Sequence, residues 1–222
     1  MSSRVAAALL VEDLSVYPRF RVDDVYARRL AEAIRAGAKL PPVVADRASK
    51  RIVDGFHRRR AALIAHGPEA EVEVEWRDYR DERELFLDAV RLNAHHGRRL
   101  SSGEEVRCLI LAEELGLQRE VVAQELGLRR EIADGKLQRQ VASGPLGREP
   151  LKPAVRHLAG EVMTERQAEV NRRLGGYHAS YYASQLIMLL RSGAIDRSNE
   201  KLVQKLRELH EALEEFLLAF AE

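Results

Sequence analysis

The point at which the periodicity changes constrains this chain more than any other feature. Val72, Val74 and Trp76 alternate with Glu71, Glu73 and Glu75, the pattern of a strand with one wet face. From Asp81 onward that alternation is gone, and apolar residues recur at helical spacing instead. A chain patterned this way folds as a small α/β layer followed by a helical half. Val5 to Val11 reads as an apolar strand, broken off by Tyr17-Pro18. Asp23 or Asp24 caps a helix with Val25, Leu30 and Ile34 on one side and Gly37 as its stop. Pro41-Pro42 leads into the strand Val43-Val44-Ala45. After the polar turn Asp46 to Lys50, Arg51-Ile52-Val53 returns. Beyond Asp54-Gly55, His57 to Ala65 forms a helix ended by Gly67.

In the second half, Leu85, Ala89 and Leu92 mark a helix ending near His96-Gly97. Ser101-Ser102-Gly103-Glu104-Glu105 reads as a helix start, a hydroxyl with Glu three residues later making a capping box, for a helix that carries Val106, Leu109, Ile110 and Ala112 and stops at Gly116. Shorter helices follow at Gln118 to Leu126 and Arg129 to Gln140. Ser143-Gly144-Pro145-Leu146-Gly147-Arg148-Glu149-Pro150 reads as a linker. Helices resume at Thr164 to Leu174 and His178 to Leu190. Finally Leu202, Leu206, Leu209, Leu213, Phe216 and Phe220 form one a/d seam, suited to a homodimer or to packing on the chain's own helices.

Composition bounds the partners. The 36 Lys and Arg against 35 Asp and Glu give a net charge of +1, so only local clusters attract a polyanion. A single cysteine excludes a disulfide framework and any multi-cysteine metal site, and it suits a reducing, cytoplasmic setting. The apolar run Val5 to Val11 is far too short to span a bilayer, so no membrane association is expected.

The turn Asp54-Gly55-Phe56-His57-Arg58 is the first candidate site. Glycine between a buried strand and a cationic helix start lets the backbone approach a phosphate, with the free N–H groups of the first turn aimed at it. His57 and Arg58 add donors, and Asp54 is suited to orienting His57 or holding a metal. Spacing alone reads equally as a turn, a helix cap and a solvated basic face.

Residues 9 to 100 resemble the N-terminal domain shared by ParB-type partition proteins and sulfiredoxin. The matching runs are Leu14-Ser15-Val16-Tyr17-Pro18-Arg19, Pro41-Pro42-Val43-Val44, Ile52 to Arg58 and Leu92-Asn93-Ala94-His95-His96-Gly97. The resemblance implies an α+β domain that binds a nucleotide, CTP or ATP with Mg²⁺. Asp54, Gly55, Phe56, His57, Arg58, Asn93 and His96 would lie at the phosphates, and Asn93 would reach the metal. ParB proteins carry Gly-Glu-Arg-Arg at the turn, where this chain has Phe56 and His57 before Arg58. Sulfiredoxin has its nucleophilic Cys where Phe56 stands, so that chemistry is excluded. A serine kinase of the same fold has Asp-Gly-His-His-Arg. Nucleotide hydrolysis, phosphotransfer and nuclease action therefore stay open, with Glu12, Asp13 and Asp54 as the acidic candidates for a base.

The second candidate site is a helix-turn-helix at Gln118 to Gln140. Val122, Ala123 and Leu126 pack inward, Gly127 makes the turn, and Leu128, Ile132 and Leu137 anchor the second helix. Gln118, Arg119, Arg129, Arg130, Lys136, Gln138 and Arg139 are then the DNA-facing candidates, being residue types that pair with base edges and phosphates. Residues 117 to 156 hold eight Lys or Arg against five Asp or Glu, a modest basic footprint. Glu131 and Asp134 lie on the same helix, so an ordinary bundle with a charged face is the competing reading.

The expected fold is thus a ParB/sulfiredoxin-like α+β domain at 1–98, a helix-turn-helix at 99–142, and a C-terminal helical dimerisation region at 154–222. The expected function is partition-like or regulatory DNA binding.

Overall fold

A computed structural model describes residues 2–95, 99–175, 177–193, 195–196 and 198–219. The chain divides into two compact units, Met1–Leu174 and Gly175–Glu222.

The sheet of unit 1 has four strands in the order β1-β4-β2-β3: β1 Ser2–Ala6, β2 Val43–Asp46, β3 Ile52–Asp54 and β4 Glu71–Arg77. β4 runs antiparallel to β1 and parallel to β2, and β2 and β3 are antiparallel with a bulge at Val44/Ala45. Strand β1 ends earlier than the apolar run suggests. Ala7–Leu9 turn into a 3₁₀ segment, and Val11 touches the sheet only as an isolated bridge to Arg51.

Both faces of β2 are buried, which explains its unbroken apolar run. Val43, Ala45 and Ile52 pack on one face with Leu10, Tyr17, Phe56 and Val74. Val44 and Val53 point the other way, into a core shared with helices α3 to α6. Helix α1 (Asp24–Arg35) is capped by Asp23, whose carboxylate accepts from the amides of Val25 and Tyr26. It packs on α2 (Phe56–His66). The buried residues of α1 are Ala27 and Ala31, while Leu30 and Ile34 are half-buried and Val25 is exposed; methyl-sized contacts let the two helices approach closely.

Helices α3 (Glu82–His95), α4 (Ser102–Glu114), α5 (Arg119–Glu125) and α6 (Arg130–Gln140) build the other core. The expected capping box at the start of α4 forms, and the pair that makes it is Ser101 with Glu104. α4 and α5 end alike, at Gly116 and Gly127, with the following amide of Leu117 or Leu128 reaching back to Ala112 or Ala123. Cys108 is buried in α4, and burial pushes its thiol up to about 12.

The expected linker is instead a hairpin. β5 (Val141–Gly144) follows α6 directly and pairs with β6 (Gly147–Pro150). Its inner end is apolar: Ala142 joins Leu151, Met163 and Ala168 in a small core beneath α7 (Glu165–Arg173). Unit 2 holds α8 (Ala179–Ser192) and α9 (Glu200–Leu218), neither of which buries a residue. Phe220, the last member of the seam, lies outside the described residues. Among the described residues, no helix is long and apolar enough to cross a membrane.

Candidate functional site

The turn after β3 opens a cavity of about 570 Å³. Gly55 has φ +106°, a left-handed conformation that a side chain resists. A Cβ there would also stand 2.9 Å from Arg58 Nε, so glycine leaves room for this guanidinium. The first helical bond of α2 runs from Arg59 N to Gly55 O at 2.9 Å. The amides of Phe56, His57 and Arg58 precede it, and no side chain caps this helix start.

Each side chain of the turn has its own task. Phe56 is core, 1% exposed and stacked on Tyr17 with ring centroids 3.9 Å apart. His57 Nε2 accepts the Asp23 amide at 2.9 Å, so that nitrogen carries no proton and the start of α2 steadies the start of α1. Its ring stands edge-on to Tyr26 at 5.2 Å. Arg58 folds back along the cavity wall. It donates to the carbonyls of Pro41 at 3.2 Å and Pro42 at 2.8 Å, and to Asp54 Oδ2 at 2.5 Å.

Asn93 lines the same cavity as the turn. It is buried, accepts from Arg19 Nε at 3.2 Å and donates to Ala89 O at 2.9 Å. Arg19 in turn stands 3.7 Å from Glu104, the capping carboxylate of α4. The structure therefore brings Asp54 to Arg58 and Asn93 around one space; His96 lies outside the described residues, as does the side chain of His95. Sequence reasoning passed over Arg19 and Tyr26 as site residues. Tyr17-Pro18-Arg19 was visible as a match to a family pattern. What turns Arg19 inward is Asn93, 74 residues away.

Mg²⁺ does not fit these oxygens. Asn93 Oδ1 already faces the Arg19 guanidinium and Asp54 Oδ2 that of Arg58, so a dication would sit against a fixed positive charge. Among the described residues, no three His, Cys, Asp or Glu gather as a metal site. The acidic residues considered as bases are likewise engaged. Glu12 pairs with Arg59 and Arg60, Asp13 with Arg51, and Asp54 with Arg58.

The α5–α6 face divides its cations into two kinds. Arg119 bridges Glu113 and Asp134, and Arg130 lies 3.4 Å from Glu120 and 3.8 Å from Asp134. Lys136 turns inward rather than outward: its ammonium meets Ser102 Oγ at 2.7 Å and Glu105 at 2.9 Å, fastening α6 to α4. Gln118, the residue preceding α5, is exposed, as are Arg129, Gln138 and Arg139. Arg139 donates to Gly135 O at 3.1 Å, and Arg129 forms no ion pair among the described residues. Ile132, expected to anchor α6, is 44% exposed, and Ala133 takes the inward place. Between the helices a shallow hollow of about 290 Å³ is lined by Gln124, Gly127, Arg129 and Arg130.

No protein-family model and no curated protein matches the chain. Solved structures do. One is the C-terminally truncated chromosome-partitioning protein ParB from Caulobacter crescentus complexed with CTP-gamma-S; it is 22% identical over 60% of this chain and 74% of that one, with a TM-score of 0.38. The same protein complexed to the centromeric parS site gives 20% identity, 62% and 72% coverage, and a TM-score of 0.45. A pNOB8-like ParB N-domain gives 15% identity, 68% and 57% coverage, and a TM-score of 0.42. What this chain is similar to, at low identity, is the N-terminal part of ParB partition proteins.

Proposed function

We propose that the protein is a ParB-type DNA-binding protein whose N-terminal cavity takes a phosphate-bearing nucleotide, CTP or ATP. The observation that carries the reading is the α2 start: a glycine-opened, uncapped helical turn facing a cavity of about 570 Å³. A phosphate there meets the amides of Phe56 to Arg58 first. Arg58 then exchanges the neutral carbonyls of Pro41 and Pro42 for charged oxygens, a stronger, charge-assisted pairing. Tyr26, Leu30, Leu40 and Leu92 supply an apolar wall for the rest of the ligand. DNA is taken by α5 and α6 through Arg129, Gln138 and Arg139, and α8 and α9 hold a second copy of the chain.

Binding is favoured over turnover because every acidic side chain considered as a base is held in an ion pair. The CTP analogue and parS DNA named for the Caulobacter structures are, for this chain, ligands to be tested.

The deciding experiment is calorimetric titration of the full chain with CTP, ATP, ADP and GTP, in Mg²⁺ and in EDTA, with and without DNA. One nucleotide binds, and Arg58→Ala, still folded, loses at least tenfold, the scale of one charge-assisted contact of roughly 1.5–3 kcal/mol. A folded wild type that binds none of the four under any condition refutes the reading.

A further inference from the structure

The β5–β6 hairpin has no role in the function proposed above, and its construction asks for one. β5 begins at the residue after α6, and Leu151 N donates to Gln140 O at 2.7 Å, so both ends of the hairpin are stitched to the last turn of α6. Gly144 and Gly147 pair across the two-residue loop Pro145-Leu146. Gly147 has φ +107°, which closes a turn this tight. Four strand residues at ~3.3 Å each carry the loop about 13 Å from α6.

The loop end is tied down beside the face proposed for DNA. Arg148, one residue past the turn, pairs with Glu113 at the end of α4. Glu113 also holds Arg119, the first residue of α5, and Arg119 reaches Asp134 on α6. This border carries little net charge, since Glu113, Glu120 and Asp134 balance Arg119, Arg130 and Arg148. From it projects a leucine that is 79% exposed and adds nothing to any core.

A neutral border with an apolar tip does not suit a track of phosphates. It suits the narrower groove of a duplex, where proteins wedge leucine or proline against base steps. We propose that the hairpin is a wing. While α6 occupies a major groove, Pro145 and Leu146 cross one sugar–phosphate ridge and lie in the adjacent minor groove. The inference rests on the DNA-binding reading of α5 and α6, and it adds a second, uncharged contact with its own signature.

The test uses the full chain and a duplex that the wild type selects from a random-sequence pool. Affinity is measured against salt, and hydroxyl radicals footprint the minor groove. Leu146→Ser weakens binding about tenfold, the scale of one partly buried aliphatic side chain. It leaves the salt slope unchanged, because no phosphate contact is lost. Protection of the flanking minor groove disappears while the central footprint stays, and Leu146→Met restores both. If Leu146→Ser binds the selected duplex as tightly as the wild type with the same footprint, the wing is wrong although the DNA reading stands. A shallower salt slope also overturns it, by making the contact one to phosphate. A wild type that selects no duplex removes the DNA reading and the wing together.

Discussion

Each of the four helices α3 to α6 in unit 1 sends side chains into one shared core, whereas α8 and α9 of unit 2 contain no fully buried residue. Both regions are rich in leucine, so composition does not separate them. In unit 1 the apolar faces meet a sheet or one another. In unit 2 they face outward: Phe216 is 59% exposed and Leu218 70%. Apolar surface of this extent on adjoining turns is the mark of an interaction face. Two helices of this length are marginal by themselves, and a second pair would complete a four-helix layer, the arrangement proposed above.

The largest expected effect follows directly. Truncation before Glu200 removes α9 and turns a dimer into a monomer in sedimentation, while the far-ultraviolet spectrum and thermal transition of unit 1 survive. A full-length chain that is already monomeric at micromolar concentration would make the exposed seam something other than a contact between copies.

The two regions also differ in how much of them the sequence discloses. Local chemistry was legible throughout. The Ser101–Glu104 box, the glycines after α1, α4 and α5, and the alternating β4 act within a few residues of themselves. The seam in α9 was equally plain, being a repeat along one helix. What escaped depends on distant partners or on backbone atoms. Arg58 is held by two proline carbonyls, which carry no signature in side-chain letters. Lys136 looked like an outward cation until Ser102 and Glu105 proved to lie beneath it. The hairpin was hidden by its own turn residues: Ser-Gly-Pro-Leu-Gly has a linker's composition, and only Ala142 and Leu151 in a core show that its strands are rooted.

Of intermediate size is the loss expected on replacing Arg129 and Arg130 together with Ala. Arg129 has no acidic partner among the described residues, whereas Arg130 must leave Glu120 and Asp134 before it can grip DNA. Taking about 1–3 kcal/mol for a good bidentate contact, and discounting Arg130, the double variant loses roughly 2–4 kcal/mol of DNA affinity. The salt slope becomes shallower if the contacts are to phosphates, and discrimination between sequences falls if they are to bases. Asp134→Ala acts in the opposite direction: Arg119 keeps Glu113 and Arg130 keeps Glu120, but each loses one acidic partner, which tightens nonspecific binding. Equal affinities for wild type and double variant would move the DNA contact off the α6 start.

The smallest effect is a pH dependence that separates the units through one shared device. Asp13, Asp46 and Asp196 each accept from the amide and hydroxyl of a serine two or three residues on. For Asp46, burial pushes the carboxyl up, but the hydroxyl and amide of Ser49, the amide of Ala48 and the charge of Arg51 together outweigh it. For Asp13, burial is likewise outweighed by Ser15 and Arg51. Both therefore titrate below the ordinary carboxylate range when folded. Their contribution to stability is complete above the unfolded pKa and is lost as pH falls through the folded one. The urea midpoint of unit 1 is accordingly expected to fall as the pH drops below about 5 and on through the ordinary carboxylate range. Asp46→Asn costs about 1 kcal/mol at neutral pH, the scale of one hydrogen bond, and flattens that slope. Asp196, although its serine also lowers it, sits in open solvent, and Asp196→Asn leaves the acid profile of unit 1 untouched. A slope that Asp46→Asn leaves intact would assign the acid sensitivity to other carboxylates, Asp13 beside Ser15 and Arg51 being the next to replace.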